Sequence, residues 1–102
     1  MLETNRISEL LESYIEYKHS LGFEIKQEIS VLRNFQRYTL EKDYTGALTK
    51  NIVLEWISSG NQKYKTMGRK IEVLRPFMKY SSFFDSKTEV IYENIYPNVH
   101  AR

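Results

Sequence analysis

The sequence predicts an all-α protein, a compact bundle of four helices. Apolar side chains recur at three- and four-residue steps in four successive segments, the spacing that places them on one face of an α-helix. Four glycines and two prolines are too few for the many tight turns of an all-β sandwich. The 102 residues, of which 41% are hydrophobic, suffice for one domain with a buried core.

The first predicted helix covers residues 5–21. Thr4 or Asn5 can cap its start, and Gly22 can supply the left-handed residue that ends it. The apolar stripe, which we expect to be buried, consists of Ile7, Leu10, Leu11, Tyr14, Tyr17 and Leu21. The opposite face, which we expect to be plain solvent-facing surface, carries Glu9, Glu12 and Glu16.

The second predicted helix covers residues 25–40. Its buried stripe consists of Ile25, Ile29, Leu32, Phe35 and Thr39. A separate stripe with basic character is aligned over about three turns and consists of Lys26, Ser30, Arg33 and Arg37. Such a row is typical either of a solvated helix flank or of a surface for an anionic partner, and the residues alone leave both open.

A turn at residues 43–46 leads to a short third helix, residues 50–59, which Thr49 caps and Gly60 closes. Because this helix is apolar on most sides, we expect Trp56 to belong to the core rather than to form a stacking platform for a base.

The fourth predicted helix covers residues 63–82, and we expect Pro76 to kink it. Its core stripe consists of Met67, Ile71, Leu74 and Met78. The helical period fades after Asp85, and residues 88–92 have the composition of an extended strand. We therefore expect a domain over residues 1–84 and an irregular linker over residues 85–102.

The net charge of +2 conceals a strong polarity along the chain. Residues 1–25 carry a net charge of −3, whereas residues 61–80 carry +5. A basic segment of this kind indicates an anionic partner such as nucleic acid, although it also occurs as a merely solvated face.

No constellation of residues predicts catalysis, a metal or a cofactor. The chain has no cysteine, and neither of its two histidines, His19 and His100, has further ligand residues at metal-binding spacing. It has no glycine-rich phosphate loop and no nucleophile elbow. Without a signal sequence or a long apolar stretch, we expect a cytoplasmic protein.

Four segments together resemble the core-binding domain of tyrosine recombinases, the phage integrase family. Residues 11–23 are similar to its opening helix, which ends in a Leu-Gly-aromatic turn, and residues 32–38 resemble its second helix. Leu48-Thr49 followed by Trp56-Ile57 resembles the third helix. Arg69, Lys70 and residues 74–80 resemble the basic fourth helix, and the match spans residues 7–84 in order.

The resemblance implies a SAM-like bundle that forms the amino-terminal arm of a site-specific recombinase and clamps double-stranded DNA with its second and fourth helices. The positions that it implies for DNA binding are Lys26, Ser30, Arg33, Arg37, Lys63, Lys65, Thr66, Arg69 and Lys70. Ser30, Thr66 and Asn34 could add hydrogen bonds to phosphates or base edges, and Arg33 or Arg69 could read guanine.

The family's chemistry needs a nucleophilic tyrosine with arginines, a lysine and a histidine around it, and this sequence has no matching motif; His100-Ala101-Arg102 is not the family's His-x-x-Arg. We therefore expect a piece of a longer protein, with no catalysis of its own. Its partners would be DNA, the parent's catalytic domain and neighbouring protomers in a synaptic complex. The alternative is a helical protein–protein interaction domain anchored by tyrosines such as Tyr44, Tyr92 and Tyr96.

Overall fold

The computed structural model describes residues 3–59 and 64–92, with side chains in the second range from residue 66 onward. These residues form four α-helices and no strand: α1 (Arg6–Ser20), α2 (Lys26–Glu41), α3 (Lys50–Ile57) and α4 (Tyr64–Ser82). α2 and α4 each contact the other three helices, so they form the centre of the bundle. The predicted all-α four-helix bundle is confirmed.

Asn5 begins α1 and also fastens it to the end of α2. Its side-chain oxygen accepts a hydrogen bond from the Ser8 amide at 2.8 Å, which makes Asn5 the cap of the two candidates. Its amide nitrogen donates to the Thr39 hydroxyl at 3.1 Å and to the Tyr44 carbonyl at 3.0 Å. At the other end Gly22 has φ +85°, the left-handed conformation that was predicted.

The buried stripe of α1 is shorter than predicted. Tyr17 and Leu21 are 46% and 55% exposed, whereas Ile15 is buried. The reason is Lys18, which occupies the centre of the stripe in the last turn and places its ammonium 4.7 Å from the centroid of the Phe23 ring. A lysine at that position keeps the last turn outside the core.

In α2 the core comprises Leu32, Phe35 and Thr39. The predicted core residues Ile25 and Ile29 are only half-buried, because Ile25 is the N-cap before α2 and Ile29 lies near the start of the helix. The helix ends in the predicted turn. Asp43 has φ +55°, and the Tyr44 amide donates to the Thr39 carbonyl at 2.9 Å.

Thr49 stands at the N-cap of α3, but its side chain makes no capping hydrogen bond there. A carboxylate from beyond α4 replaces it, because Glu89 accepts a hydrogen bond from the Lys50 amide at 2.8 Å. α3 ends at Ile57, two residues before the predicted end, and Gly60 lies outside the described residues. The assignment of Trp56 to the core is confirmed: it is 1% exposed and packs 5.0 Å from the Phe35 ring.

α4 continues across Pro76. Its predicted core stripe is buried, and Val73 and Phe77 join it. Residues 85–92 do not form a strand and pack back on the bundle, where Val90 and Ile91 are buried. The guanidinium of Arg75 donates to the Ile91 carbonyl at 2.8 Å. The division at residue 84 stays a prediction, and residues 93–102 lie outside the described part.

Candidate nucleic-acid interface

An open groove lies between α2 and Lys70 of α4, over Trp56 of α3, and its lining includes three of the nine predicted positions. Two adjoining cavities make up this groove, with volumes of about 340 Å³ and 300 Å³. We call it the α2–α4 groove. Its lining comprises Ser30, Val31, Asn34, Arg37, Tyr38, Glu41, Trp56, Ser59 and Lys70. Lys70 on α4 is therefore brought to the same surface as Ser30 and Arg37 on α2.

Trp56 forms the floor of the groove and fixes one of its walls. The indole Nε1 donates a hydrogen bond to Asn34 Oδ1 at 3.0 Å. A buried indole N–H needs such a partner, because leaving a buried donor unpaired costs about 1–3 kcal/mol. Asn34 itself is exposed on α2, so a single hydrogen bond links the core to the surface of the groove.

Lys70 lies across this floor from α4. Its Nζ is 4.4 Å from the centroid of the Trp56 ring, a cation–π distance. Burial of its ammonium lowers the pKa of Lys70 from the ordinary lysine value. An anion that enters the groove would restore the electrostatic stabilisation that water no longer supplies to this ammonium.

The outer rim of the groove is basic. Arg37 is exposed, and Lys26 lies exposed near the start of the same helix. Neither forms an ion pair with a described residue. Thr66 is exposed one helical turn before Lys70 on α4. Glu41, which lines the second cavity, is the acidic side chain of this lining.

Arg33 belongs to the predicted stripe, but its side chain is paired with a carboxylate of α1. Its guanidinium binds Glu12 with two hydrogen bonds, Nη1 to Oε2 at 2.5 Å and Nη2 to Oε1 at 3.2 Å, and Nη1 also reaches Gln36 Oε1 at 3.0 Å. The hydrogen bonds and charge of Arg33 hold the pKa of Glu12 below its ordinary value. Glu12 faces solvent, as predicted, but it is more than plain surface, since its carboxylate also reaches across to α2.

Arg69 lies apart from the α2–α4 groove. It lines a separate cavity of about 190 Å³ between the end of α1, the start of α2 and α4. That cavity holds both signs of charge, since its lining also includes Lys18, Glu28 and Glu72. Lys63 and the side chain of Lys65 lie outside the described residues. The DNA-binding role of all nine positions stays a prediction.

Sequence reasoning did not anticipate the pairing of Asn34 with Trp56 or of Arg33 with Glu12. The partners are 22 and 21 residues apart, and each pair lies on two different helices. Only the way the helices cross brings them together. The sequence holds only a weak signal for each pair. A core tryptophan needs a hydrogen-bond acceptor, which points to a polar partner such as Asn34. An acidic helix beside a basic one points to an ion pair between them.

The described residues hold no cluster of three or more His, Asp or Glu side chains able to bind a metal ion. Within the same ranges, no helix is both long and apolar enough to cross a membrane. Of the tyrosines considered as interface anchors, Tyr44 is half-buried and donates to the Ala47 carbonyl at 2.6 Å, whereas Tyr92 is 69% exposed. Tyr96 lies outside the described residues.

Comparison with known proteins finds a relative in Sinorhizobium fredii whose name is "Putative integrase/recombinase y4rE". The two sequences are 27% identical over 95 residues, which cover 93% of this chain and 31% of the relative. No protein-family model matches the chain, and no solved structure matches it. This similarity supports a relationship between the chain and integrase/recombinase proteins. The chain spans about a third of the length of this relative.

Proposed function

We propose that this chain is the DNA-binding arm of a site-specific tyrosine recombinase, and that duplex DNA lies along the α2–α4 groove. The observation that carries the proposal is the convergence of Ser30 and Arg37 from α2 with Lys70 from α4 on one open surface. The similarity to a protein named as an integrase/recombinase supports the same conclusion.

The chemistry of the groove suits a polyanion. Arg37 and Lys26 form no ion pair with a described residue, and the ammonium of Lys70 is partly buried against the Trp56 ring. Phosphates neutralised by such side chains release their condensed counterions, and this release supplies most of the sequence-independent affinity for DNA. Ser30 and Thr66 add hydroxyl groups that can bond phosphate oxygens.

In this proposal, strand cleavage and joining belong to a catalytic domain elsewhere in the parent protein. The chain spans 31% of its relative's length. It would act by binding, together with that catalytic domain on the same DNA and with neighbouring protomers during integration or recombination. It would be no enzyme on its own.

The test is a salt titration of duplex binding, followed by fluorescence anisotropy with the whole 102-residue chain. A duplex of about 20 base pairs should bind at low salt with a Kd near the 10⁻⁴–10⁻⁶ M of non-specific contacts. If about 4–6 phosphates are contacted, log K should fall against log salt with a slope of roughly −4 to −5. Absence of binding at low salt, or a slope near zero, would overturn the proposal.

A matched pair of charge reversals locates the interface. Arg37→Glu, in the groove, should weaken binding by about tenfold or more, because it replaces a phosphate contact with repulsion. Lys87→Glu changes the charge equally at an exposed position outside the groove and should have a much smaller effect. Equal losses in the two variants would place the DNA elsewhere.

An exposed aromatic cluster favours a second candidate function, a helical protein-interaction domain. The ring centroids of Tyr17 and Phe84 lie 5.2 Å and 4.9 Å from that of Tyr80. Phe83 and Phe84 are 83% and 62% exposed. Aromatic side chains exposed together often mark a binding surface. If the chain binds no duplex at low salt, this second function is the one that remains.

A further inference from the structure

The side-chain amide of Asn34 has a defined orientation. The indole Nε1–H of Trp56 can only donate a hydrogen bond, so the Asn34 atom that faces it must be the oxygen Oδ1. The amide group is planar, and its Nδ2 therefore points away from Trp56. Because Trp56 is the floor and Asn34 is exposed, Asn34 presents an N–H₂ group rather than a carbonyl to the groove.

The neighbouring polar groups share this donor character. The ammonium of Lys70 and the guanidinium of Arg37 have donors and no acceptor. The Ser30 hydroxyl can rotate to donate or accept, and Val31 is apolar. Arg37 and Glu41 both line the second cavity, so a carboxylate lies beside the guanidinium there. The first cavity is lined by Ser30, Val31, Asn34, Trp56 and Lys70; this lining has no carboxylate, and it offers donors to an incoming ligand.

We propose that Asn34, held by Trp56, is a specificity-determining residue that binds only acceptor groups of DNA: a phosphate oxygen or the O6 and N7 edge of guanine. The inference rests on the proposed function. An unconstrained asparagine pairs with adenine by using its oxygen and its nitrogen together. Here Trp56 occupies one of the two lone pairs of the oxygen and holds the oxygen towards the floor, which disfavours the two-point adenine pairing, and Lys70 reinforces the selection of acceptors.

Trp56 is a positioning residue in this proposal, and its single indole allows a direct check. Trp56 is the chain's one tryptophan, so its indole N–H gives one proton NMR signal without any assignment problem. Asn34→Ala should shift this signal and accelerate its exchange with water. Asn34→Asp keeps an oxygen in place and should preserve it. If Asn34→Ala changes neither the chemical shift nor the exchange rate of the indole N–H, the proposed orientation is wrong.

The binding test uses Asn34→Asp, because this change replaces the outward N–H₂ by an oxygen of nearly the same size. The control, Asn51→Asp, adds the same charge at an exposed position on α3. We expect Asn34→Asp to lose about tenfold more affinity than Asn51→Asp for a dG·dC duplex at low salt, since a carboxylate repels an acceptor. A dA·dT duplex should show the same loss if the acceptor is a phosphate and a smaller one if it is the guanine edge. Circular dichroism checks that both variants remain helical.

A third duplex separates the two sources of the acceptor. In a dG·dC duplex with 7-deazaguanine the N7 acceptor is absent and the phosphates are unchanged. Unequal binding of the two dG·dC duplexes identifies the guanine edge, and equal binding identifies a phosphate. If the unaltered chain binds neither dG·dC nor dA·dT, the proposed function fails and this inference with it. If the chain binds and Asn34→Asp behaves like Asn51→Asp, the inference alone fails.

Discussion

Arg33 on α2 and Glu12 on α1 form a two-point ion pair, with Nη1 2.5 Å from Oε2 and Nη2 3.2 Å from Oε1. Both side chains remain partly exposed, 40% for Arg33 and 58% for Glu12. The pair links α1 to α2, and it keeps the Arg33 guanidinium, a member of the predicted DNA-binding stripe, bound to a carboxylate. An exposed pair of this kind adds little stability, so its main consequence concerns binding.

We expect Glu12→Gln to strengthen duplex binding, because it frees Arg33 to contact a phosphate. The salt slope should steepen by about 0.9, the value for one additional phosphate contact. Anisotropy titrations at several salt concentrations measure both quantities. Glu16→Gln is the control, since it removes the same charge from the exposed face of α1. If the two variants have the same slope, the pair does not restrain Arg33.

The ion pair also gives the stability of the fold a dependence on acid. Arg33 lowers the pKa of Glu12 below its ordinary value of 4.5. The folded state thus binds this proton less readily than the unfolded state, and the contribution is present above about pH 4.5 and is lost as the pH falls through the folded pKa. Urea unfolding should show the wild-type chain and Glu12→Gln converging in acid. A difference that persists unchanged in acid would contradict the assignment.

Asn5 is expected to be the most sensitive polar position of the fold. Asn5→Ala removes the cap of α1 and leaves the Tyr44 carbonyl without its amide donor, and we expect a loss of about 2–3 kcal/mol in the free energy of unfolding. Asn5→Asp retains a good capping oxygen but places a second oxygen against that carbonyl, so it should also destabilise. Denaturant unfolding measures both, with Asn51→Ala as an exposed control. A stable Asn5→Asp would mean that capping alone explains Asn5.

Glu89 should stabilise α3 from outside the helix. Glu89→Ala removes the carboxylate that accepts from the Lys50 amide, and we expect a loss of about 1 kcal/mol, the typical value of an N-cap. Hydrogen exchange at the first turn of α3 should accelerate, and Glu89→Gln should be intermediate. Glu24→Ala, at an exposed position between α1 and α2, is the control. Unaltered exchange in α3 would show that Thr49 or water suffices as the cap.

The helices could be predicted from the sequence because their evidence is local. The apolar period, Asn5 before α1 and Gly22 after it are readable within one or two turns of chain. The error at Tyr17 and Leu21 arose because a periodic stripe does not reveal where the neighbouring helices end. Lys18, at the centre of that stripe, was the available signal that the core had stopped.

The candidate site could be predicted only in part, because it depends on contacts between helices. The period aligned Lys26, Ser30, Arg33 and Arg37, but it could not show that Arg33 turns towards α1 while Ser30 turns towards α4. The orientation of Asn34 is likewise set by a tryptophan 22 residues away. Such details follow from helix crossing and from the need of buried donors for partners.

The central claim, that duplex DNA binds in the α2–α4 groove, is tested most directly by mapping amide and indole NMR shifts as a duplex is added to the chain. We predict that the largest shifts occur at Ser30, Asn34, Arg37 and Lys70 and at the Trp56 indole N–H, and that they diminish with salt. Shifts confined to the aromatic cluster of Tyr17, Tyr80 and Phe84, or no shifts at low salt, would contradict the account.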